Sequence, residues 1–273
     1  MDIAIISDEI SHDPHAAIYI GTKGMNIRLY ELRQIMGKRV PDIAREEAEE
    51  LRWLKGKYDI AYTAIAAGVF KCAPVAADIE HQLARLEKAI ELALELGVGT
   101  ITGFALRDTQ THRPGELRDI FLPYLLRALR MTERAGLTLA IETEYMTGVE
   151  NARDAATLCK LAGPALRINW DPANSWIAGE HPLEGYGQVK PLLANMHVKD
   201  TDTRAWRERN PFVPFGDGLV PWNELLPLLA RDRTLSVLTV ETHCKPLIPN
   251  SLQGVARLRQ ALQPIAQEGA ERP

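Results

Sequence analysis

The chain has 273 residues, of which 46% are hydrophobic and 25% are charged, which is the profile of a soluble globular protein with a large core. Acidic residues outnumber basic ones by 36 to 32, and this balance argues against a protein that binds nucleic acid through a basic surface. The three cysteines are too few for a disulfide framework, no apolar run reaches the length of a membrane span, and the N-terminus lacks the basic start of a secretory signal. We therefore expect a cytoplasmic protein without a membrane or nucleic-acid partner.

Short apolar runs alternate with amphipathic segments along the whole chain. The predicted strands are residues 3–7, 25–31, 58–65, 98–104, 137–142, 166–171, 194–199 and 235–241. The predicted helices are residues 14–24, 43–54, 76–96, 115–135, 152–161, 183–193, 222–229 and 252–266. The clearest helix is 76–96, where apolar residues recur at helical spacing and Gly97 ends the run; its apolar positions are Ile79, Leu83, Leu86, Ile90 and Leu94.

This alternation of strands and helices predicts the α/β class, with parallel strands joined by right-handed crossovers. Eight such units in about 270 residues are typical of a single closed (β/α)₈ barrel, the TIM barrel. An open doubly wound sheet is the competing topology, but no Gly-x-Gly-x-x-Gly follows the first strand and the chain has no P-loop. We expect one domain over residues 1–273, with residues 267–273 as a frayed tail.

Four consecutive predicted strands, the last four, end in a side chain that can bind a metal. These side chains are Glu142, Asp171, His197 and Glu241, and in a barrel they would meet at one mouth. A single acid at a strand end usually caps a helix or faces solvent. Three carboxylates at one mouth would repel one another unless a cation lay between them. Carboxylates with one imidazole favour a hard divalent ion, with Mn²⁺ first and Mg²⁺, Co²⁺ or Zn²⁺ as alternatives.

Residues two apart along a strand point to the same side, so Glu144, Lys199 and His243 are predicted to face the same mouth as the ligands two residues before them. Further candidates are Asn174, three residues after Asp171, and Arg33 and Lys71, which follow the second and third strands. Each has a simpler interpretation as a solvent-facing loop residue or, for the two cations after the second and third strands, as a salt bridge across the barrel rim. The substrate-binding candidates are Glu144, Asn174, Lys199, His243, Arg33 and Lys71. One or two of five aromatic residues are expected to wall a sugar pocket: Phe70, Phe104, Trp170, Phe212 and Phe215.

The order and spacing of these motifs resemble a known family. The motifs are Ile6-Ser7-Asp8-Glu9-Ile10, Tyr30-Glu31-Leu32-Arg33, Ile141-Glu142-Thr143-Glu144, Asn169-Trp170-Asp171-Pro172-Ala173-Asn174, His197-Val198-Lys199-Asp200, Phe215-Gly216-Asp217-Gly218 and Val240-Glu241-Thr242-His243. Together they resemble the xylose-isomerase-like sugar phosphate isomerase/epimerase superfamily, which also contains endonuclease IV. The resemblance implies one divalent ion held by the four strand-end residues and a small-molecule carbohydrate substrate. It also implies that Glu142 and Glu241 transfer protons through a metal-stabilised enediolate. Dimers or tetramers are common among such barrels.

The chain departs from the ketose 3-epimerases of that family at two positions. Asn174 and Glu144 stand where those enzymes usually have histidine. The departures resemble a branch that acts on unusual sugars, inositols and oxidised glycosides. A metal-dependent isomerase or epimerase of a sugar or polyol ketone is the first hypothesis. A lyase that cleaves a 3-oxo-glycoside by β-elimination at the same site is the alternative. The third hypothesis is a DNA-repair nuclease, which would need more histidines at strand ends. The fourth is a non-catalytic barrel.

Overall fold

Eight parallel strands form a closed barrel in the computed structural model, which describes residues 1–107, 111–204 and 210–270, with side chains in the last helix described as far as Ile265. The strands are β1 Asp2–Ile6, β2 Leu29–Leu32, β3 Ala61–Val69, β4 Thr100–Gly103, β5 Thr138–Glu142, β6 Arg167–Trp170, β7 Leu193–Val198 and β8 Val237–Val240. Each pairs with the next along the chain, and β8 pairs with β1. The predicted (β/α)₈ fold is confirmed, and each strand overlaps one of the predicted runs.

Helices follow the strands and pack around the barrel. They are α1 Pro14–Gly24, α2 Arg45–Tyr58, α3 Ala76–Leu96, α4 Pro114–Arg134, α5 Ala152–Ala162, α6 Pro172–Ile177, α7 Pro182–Val189, α8 Trp222–Asp232 and α9 Leu247–Ala270. The short α6 is an addition to the predicted set. Helix α9 continues past the expected start of the tail at Gln267, and residues 271–273 lie outside the described part of the chain. In the described residues, no helix combines the length and apolar character needed to span a bilayer.

Helix α3 illustrates how the sequence pattern produces the packing. Ile79, Leu83 and Leu86 are buried against the barrel, as the helical spacing predicts. Leu94 does not follow the prediction, because its side chain is 56% exposed near the end of the helix. The helix ends at Gly97, whose φ of 67° is the left-handed conformation that glycine adopts without strain.

Two short antiparallel ribbons lie after strands of the barrel and bring further side chains to its mouth. The first follows β2 and pairs Gln34–Ile35 with Lys38–Arg39. The second follows β7 and pairs Asp200–Thr201 with Phe212–Val213. The long loop after β7, residues 201–220, contains this second ribbon, and residues 205–209 lie outside the described residues.

Candidate metal centre

The four predicted metal ligands meet at the carboxyl ends of neighbouring strands. Glu142 is the last residue of β5, Asp171 follows β6, His197 lies near the end of β7, and Glu241 follows β8. All four side chains are buried, and one ligand atom from each lies within 4.8 Å of the other three. Three carboxylates and one imidazole thus converge on one point, which is the arrangement that a hard divalent cation requires.

The hydrogen bonding of His197 fits a metal ligand. Its Nε2 lies 3.1 Å from Oε1 of Glu31, a carboxylate that is fully buried. Its Nδ1 lies 3.3 Å from an oxygen of Glu142 and 3.3 Å from an oxygen of Glu241, but makes no hydrogen bond within the described structure. A buried ring nitrogen without a partner is costly. A cation between these three residues would bind that nitrogen.

Asp171 is fixed by the helix that follows it. As the N-cap of α6, it accepts hydrogen bonds through Oδ1 from the backbone amides of Ala173 (2.9 Å) and Asn174 (3.1 Å). The Asn174 side chain donates to Oδ2 of Asp171 at 2.8 Å and to the backbone oxygen of Thr143 at 3.1 Å. The carboxylate is therefore held in one orientation by three donors, and Asn174 supports a proposed ligand.

Lys199 supplies positive charge beside this cluster. Its buried ammonium lies 2.7 Å from Oδ2 of Asp171 and 2.5 Å from Oε2 of Glu241. Burial acts to lower the pKa of Lys199, but Asp171 and Glu241 outweigh it and raise that pKa, so the group stays charged. An ionised carboxylate has about four lone-pair sites, so Glu241 can accept from this ammonium and still bind a metal ion. Asp171 already accepts three other hydrogen bonds, so an ion at Asp171 would take the place of the ammonium.

The two glutamates differ in their affinity for a proton. Burial raises the pKa of Glu142, and the neighbouring His197 offsets this only in part. Burial also acts to raise the pKa of Glu241, but Lys199, His243 and His197 hold it well below its ordinary value. The protein environment therefore gives Glu142 a higher proton affinity than Glu241, and such a difference is typical of acid and base partners.

A second ionic cluster borders the first and shares Glu241 with it. The guanidinium of Arg33 lies 2.5 Å from Glu241, 2.7 Å from Glu9 and 2.9 Å from Asp8. His243 donates its backbone amide to Glu9 at 2.9 Å, and its Nδ1 lies 2.7 Å from the same carboxylate. Arg33 thus forms the rim salt bridges that were its simpler interpretation. His243 is held beside the centre, with Nε2 at 3.2 Å from Glu241.

The clusters open into a cavity of about 200 Å³. All six predicted substrate-binding residues line it, together with Gln34 and Arg39: Arg33, Lys71, Glu144, Asn174, Lys199 and His243. Lys71 and Glu144 form an ion pair at 2.5 Å. Two of the five aromatic candidates, Phe104 and Phe212, form part of the wall. The others pack elsewhere, since Phe70 and Trp170 are fully buried in the core and Phe215 packs on Trp222.

Sequence reasoning missed the acidic residues that hold the predicted ones. Glu31 contacts His197, and Asp8 and Glu9 contact Arg33 and His243. The available signal was their position, because Asp8 and Glu9 come just after β1 and Glu31 lies near the end of β2. A charged residue at the carboxyl end of a barrel strand is a candidate for the functional face wherever the strand lies in the chain.

The protein is a TIM barrel with a cluster of charged side chains at the carboxyl ends of its strands, which is where TIM-barrel enzymes have their active sites. Residues 15–265 match the model of the xylose isomerase-like TIM barrel family, and the chain belongs to that family. It is similar to inosose dehydratase 1 of Bacillus cereus, with 23% identity over 148 residues that make up 49% of this chain and 50% of the relative. The chain thus spans about half the length of the curated relatives it matches.

Solved structures share the fold over nearly their whole length. A probable 3-DHS dehydratase, AsbF, from Bacillus anthracis superposes with a TM-score of 0.79 at 17% identity, covering 95% of this chain and 99% of that one. The IolI protein, solved with a bound zinc atom, superposes with a TM-score of 0.80 at 14% identity, covering 98% of this chain and 99% of that one. A 3-keto-D-glucoside 4-epimerase, YcjR, from E. coli superposes with a TM-score of 0.75 at 14% identity, covering 95% of this chain and 99% of that one. The solved structures that share this fold therefore include both an epimerase and a probable dehydratase.

Proposed function

We propose that this protein is a divalent-metal-dependent isomerase or epimerase that transfers a proton on the carbon next to the ketone of a sugar or related polyol. One observation carries the proposal: two buried glutamates, Glu142 and Glu241, converge with Asp171 and His197 at the mouth of the barrel. Two carboxylates at one centre provide both groups that such a reaction needs, one to remove a proton and one to return it.

The four residues Glu142, Asp171, His197 and Glu241 would hold the ion. Mn²⁺ is our first choice, since a site with three carboxylates is rich in hard oxygen ligands, and a relative that binds zinc supports a divalent site in this fold. When bound, the ion supplies a Lewis acid that polarises the ketone and makes the adjacent C–H more acidic.

The charges around the two glutamates give each a role. Glu241 is kept ionised by Lys199 and His243, and an ionised carboxylate suits removal of the proton. Burial raises the pKa of Glu142 in the metal-free protein, so Glu142 has the higher proton affinity of the two and suits the return of a proton to the opposite face of the carbon. The remaining polar residues around the cavity would bind the substrate hydroxyls.

A lyase is the second candidate, in which the same first proton removal is followed by loss of a group β to the ketone, as in cleavage of a 3-oxo-glycoside. The buried ammonium of Lys199, within 2.5 Å of Glu241, favours it, because a cation beside the base can donate a hydrogen bond to a departing oxygen. The similarity to inosose dehydratases also favours an elimination. Both reactions share the proton removal and differ only in the second step.

A single experiment tests the proposal and separates the two candidates. The purified protein is analysed for metal, then incubated in D₂O with ketoses, inososes and 3-oxo-glycosides, with and without a chelator. We expect stoichiometric metal and chelator-sensitive deuterium in a recovered epimer or isomer. Release of water or an aglycone would instead identify the lyase. Absence of both metal and turnover would reject the proposal.

A further inference from the structure

Arg39 lies on the ribbon that follows β2, opposite Gln34 in the antiparallel pairing. Directly opposed residues of such a pair project to the same side. Both side chains line the cavity that contains Glu142 and Glu241. The alternate pair of the ribbon points elsewhere, since Ile35 is buried in the core and Lys38 forms an exposed salt bridge with Glu47. The ribbon therefore presents one guanidinium and one amide to the cavity.

Arg39 differs from the other cations of the cavity in having no partner. The others each lie within 2.7 Å of a carboxylate: Arg33 on Glu241, Lys71 on Glu144, and Lys199 on Asp171. Across the described ranges, the guanidinium of Arg39 and the side-chain amide of Gln34 make no hydrogen bond, and Arg39 forms no ion pair. Five N–H donors in a planar fork therefore stand at the cavity wall without an acceptor.

The guanidinium of Arg39 packs against the backbone of Gly68. A Cβ built on Gly68 would lie 3.3 Å from Cζ, Nε and Nη1 of Arg39, so the flat group packs directly against that glycine. Burial lowers the pKa of Arg39 and the nearby charge of Arg33 lowers it further, whereas Asp8 and Glu142 act in the opposite direction. The charged form is thus held at a cost that a bound anion would offset.

We propose that Arg39 and Gln34 bind an anionic group of the substrate, a carboxylate or a phosphate, while its ketone lies at the metal centre. The substrate class is then a keto-sugar acid or a sugar phosphate rather than a neutral ketose. Arg39, Gln34 and the two glutamates line the same cavity of about 200 Å³, so the anion and the ketone would belong to one small molecule. A guanidinium fork matches both anions in a bidentate manner. The identity of the ketone rests on the proposed function, but the recognition of an anion does not.

The test measures binding rather than turnover, so its outcome is separate from that of the proposed function. The metal-loaded protein is titrated calorimetrically with D-fructose, D-fructose 6-phosphate and D-fructuronate, which differ only at the sixth carbon. We expect one of the two anions to bind about 10- to 100-fold more tightly than D-fructose, as expected for a charge-assisted hydrogen-bonded contact. Which anion it is distinguishes a phosphate substrate from a carboxylate substrate.

Variants then assign the effect to Arg39. Arg39→Met should remove the preference for the anion and leave the metal content unchanged, because Arg39 contacts none of the four proposed ligands. Arg39→Lys should retain part of the preference, since the charge remains but the fork is lost. Lys38→Met is the matched control, a loss of charge on the same ribbon facing away from the cavity. The proposal is overturned if neither anion binds more tightly than D-fructose, or if Arg39→Met and Lys38→Met change the preference equally.

Discussion

Oε1 of Glu31 lies 3.1 Å from Nε2 of His197, and both side chains are buried at the centre of the barrel. The carboxylate also accepts a hydrogen bond from the Asn195 amide at 2.7 Å, which fixes its orientation. A histidine whose Nε2 carries the proton for this bond presents an unprotonated Nδ1 to Glu142 and Glu241. Because a carboxylate can only accept, Glu31 favours the tautomer that His197 needs as a proposed metal ligand.

Replacing Glu31 by glutamine should lower the affinity of the proposed site for a metal ion without abolishing binding. We expect about 10- to 100-fold lower affinity for Mn²⁺ in Glu31→Gln, the usual cost of losing a partner behind a metal-bound histidine. Calorimetric titration of the metal-free protein measures it. Glu180→Gln is a suitable control, because Glu180 is also a buried carboxylate but binds the backbone amides of Ala152 and Arg153 away from the centre. Equal losses in both variants would contradict the role of Glu31.

Metal affinity should fall as the pH is lowered. Burial acts to lower the pKa of His197, but the carboxylates of Glu142, Glu31 and Glu241 outweigh it and raise that pKa well above its ordinary value. The metal-free protein then retains a proton on His197 at a pH where a free histidine, with a pKa of about 6.5, has lost it. This proton competes with the ion, so affinity for Mn²⁺ should still be increasing with pH above that value. Mn²⁺ titrations between about pH 6 and 9 measure this dependence. An affinity that does not change with pH would count against His197 as a ligand.

Glutamine variants of the two glutamates should fail at different steps. If Glu241 removes the proton, Glu241→Gln should lose both the exchange of that proton with D₂O and turnover. Glu142→Gln should keep the exchange but lose turnover by about 10²- to 10⁴-fold, the usual contribution of a general acid or base. Deuterium incorporation followed by NMR measures both, and metal analysis of each variant ensures that the centre is still loaded. The reverse pattern would exchange the two roles.

Asp200 should control the loop over the mouth. Its buried carboxylate accepts backbone amides from Gly216 at 2.9 Å, Gly218 at 3.2 Å and Val220 at 3.2 Å. Asp200→Ala leaves these donors without a partner, and we expect a loss of about 2–4 kcal/mol in the free energy of unfolding. Urea denaturation measures the loss, and limited proteolysis should show earlier cleavage within residues 201–220. Asp217→Ala, which removes only an exposed pair with Arg257, should change little.

The sequence predicted the barrel and the four central side chains because both depend on local patterns. Each of Glu142, Asp171, His197 and Glu241 ends an apolar run, and the topology of a barrel brings such ends together. The partners of these residues depend instead on long-range packing. Glu31 and His197 are in contact although 166 positions separate them in the sequence, and Glu9 and His243 are separated by 234 positions. No spacing rule along the chain relates residues so far apart.

The ribbon after β2 shows a second limit of sequence reasoning. Its two-residue strands are too short to produce an alternating pattern, so Gln34 and Arg39 carried no periodic signal. The register of β2 also shifts between Tyr30 and Glu31 where it pairs with β3. The extra residue is in β3, where Tyr62 and Ala64 pair with Tyr30 and Glu31 and Thr63 is left between them. Such a bulge leaves no hydrophobic pattern along the chain from which it could be predicted.

The hydrogen bonds of Asp171 have a consequence for the choice of ion. Oδ1 accepts two backbone amides at the start of α6, and Oδ2 accepts the side-chain amide of Asn174 beside the ammonium of Lys199. A metal ion that takes the place of the ammonium would therefore bind through Oδ2 alone. Chelation through both oxygens, on which large ions such as Ca²⁺ often rely to reach seven or eight neighbours, is thereby blocked at this residue. By holding Asp171 in this way, the six-residue helix α6 would favour a small ion with a coordination number of about six over Ca²⁺.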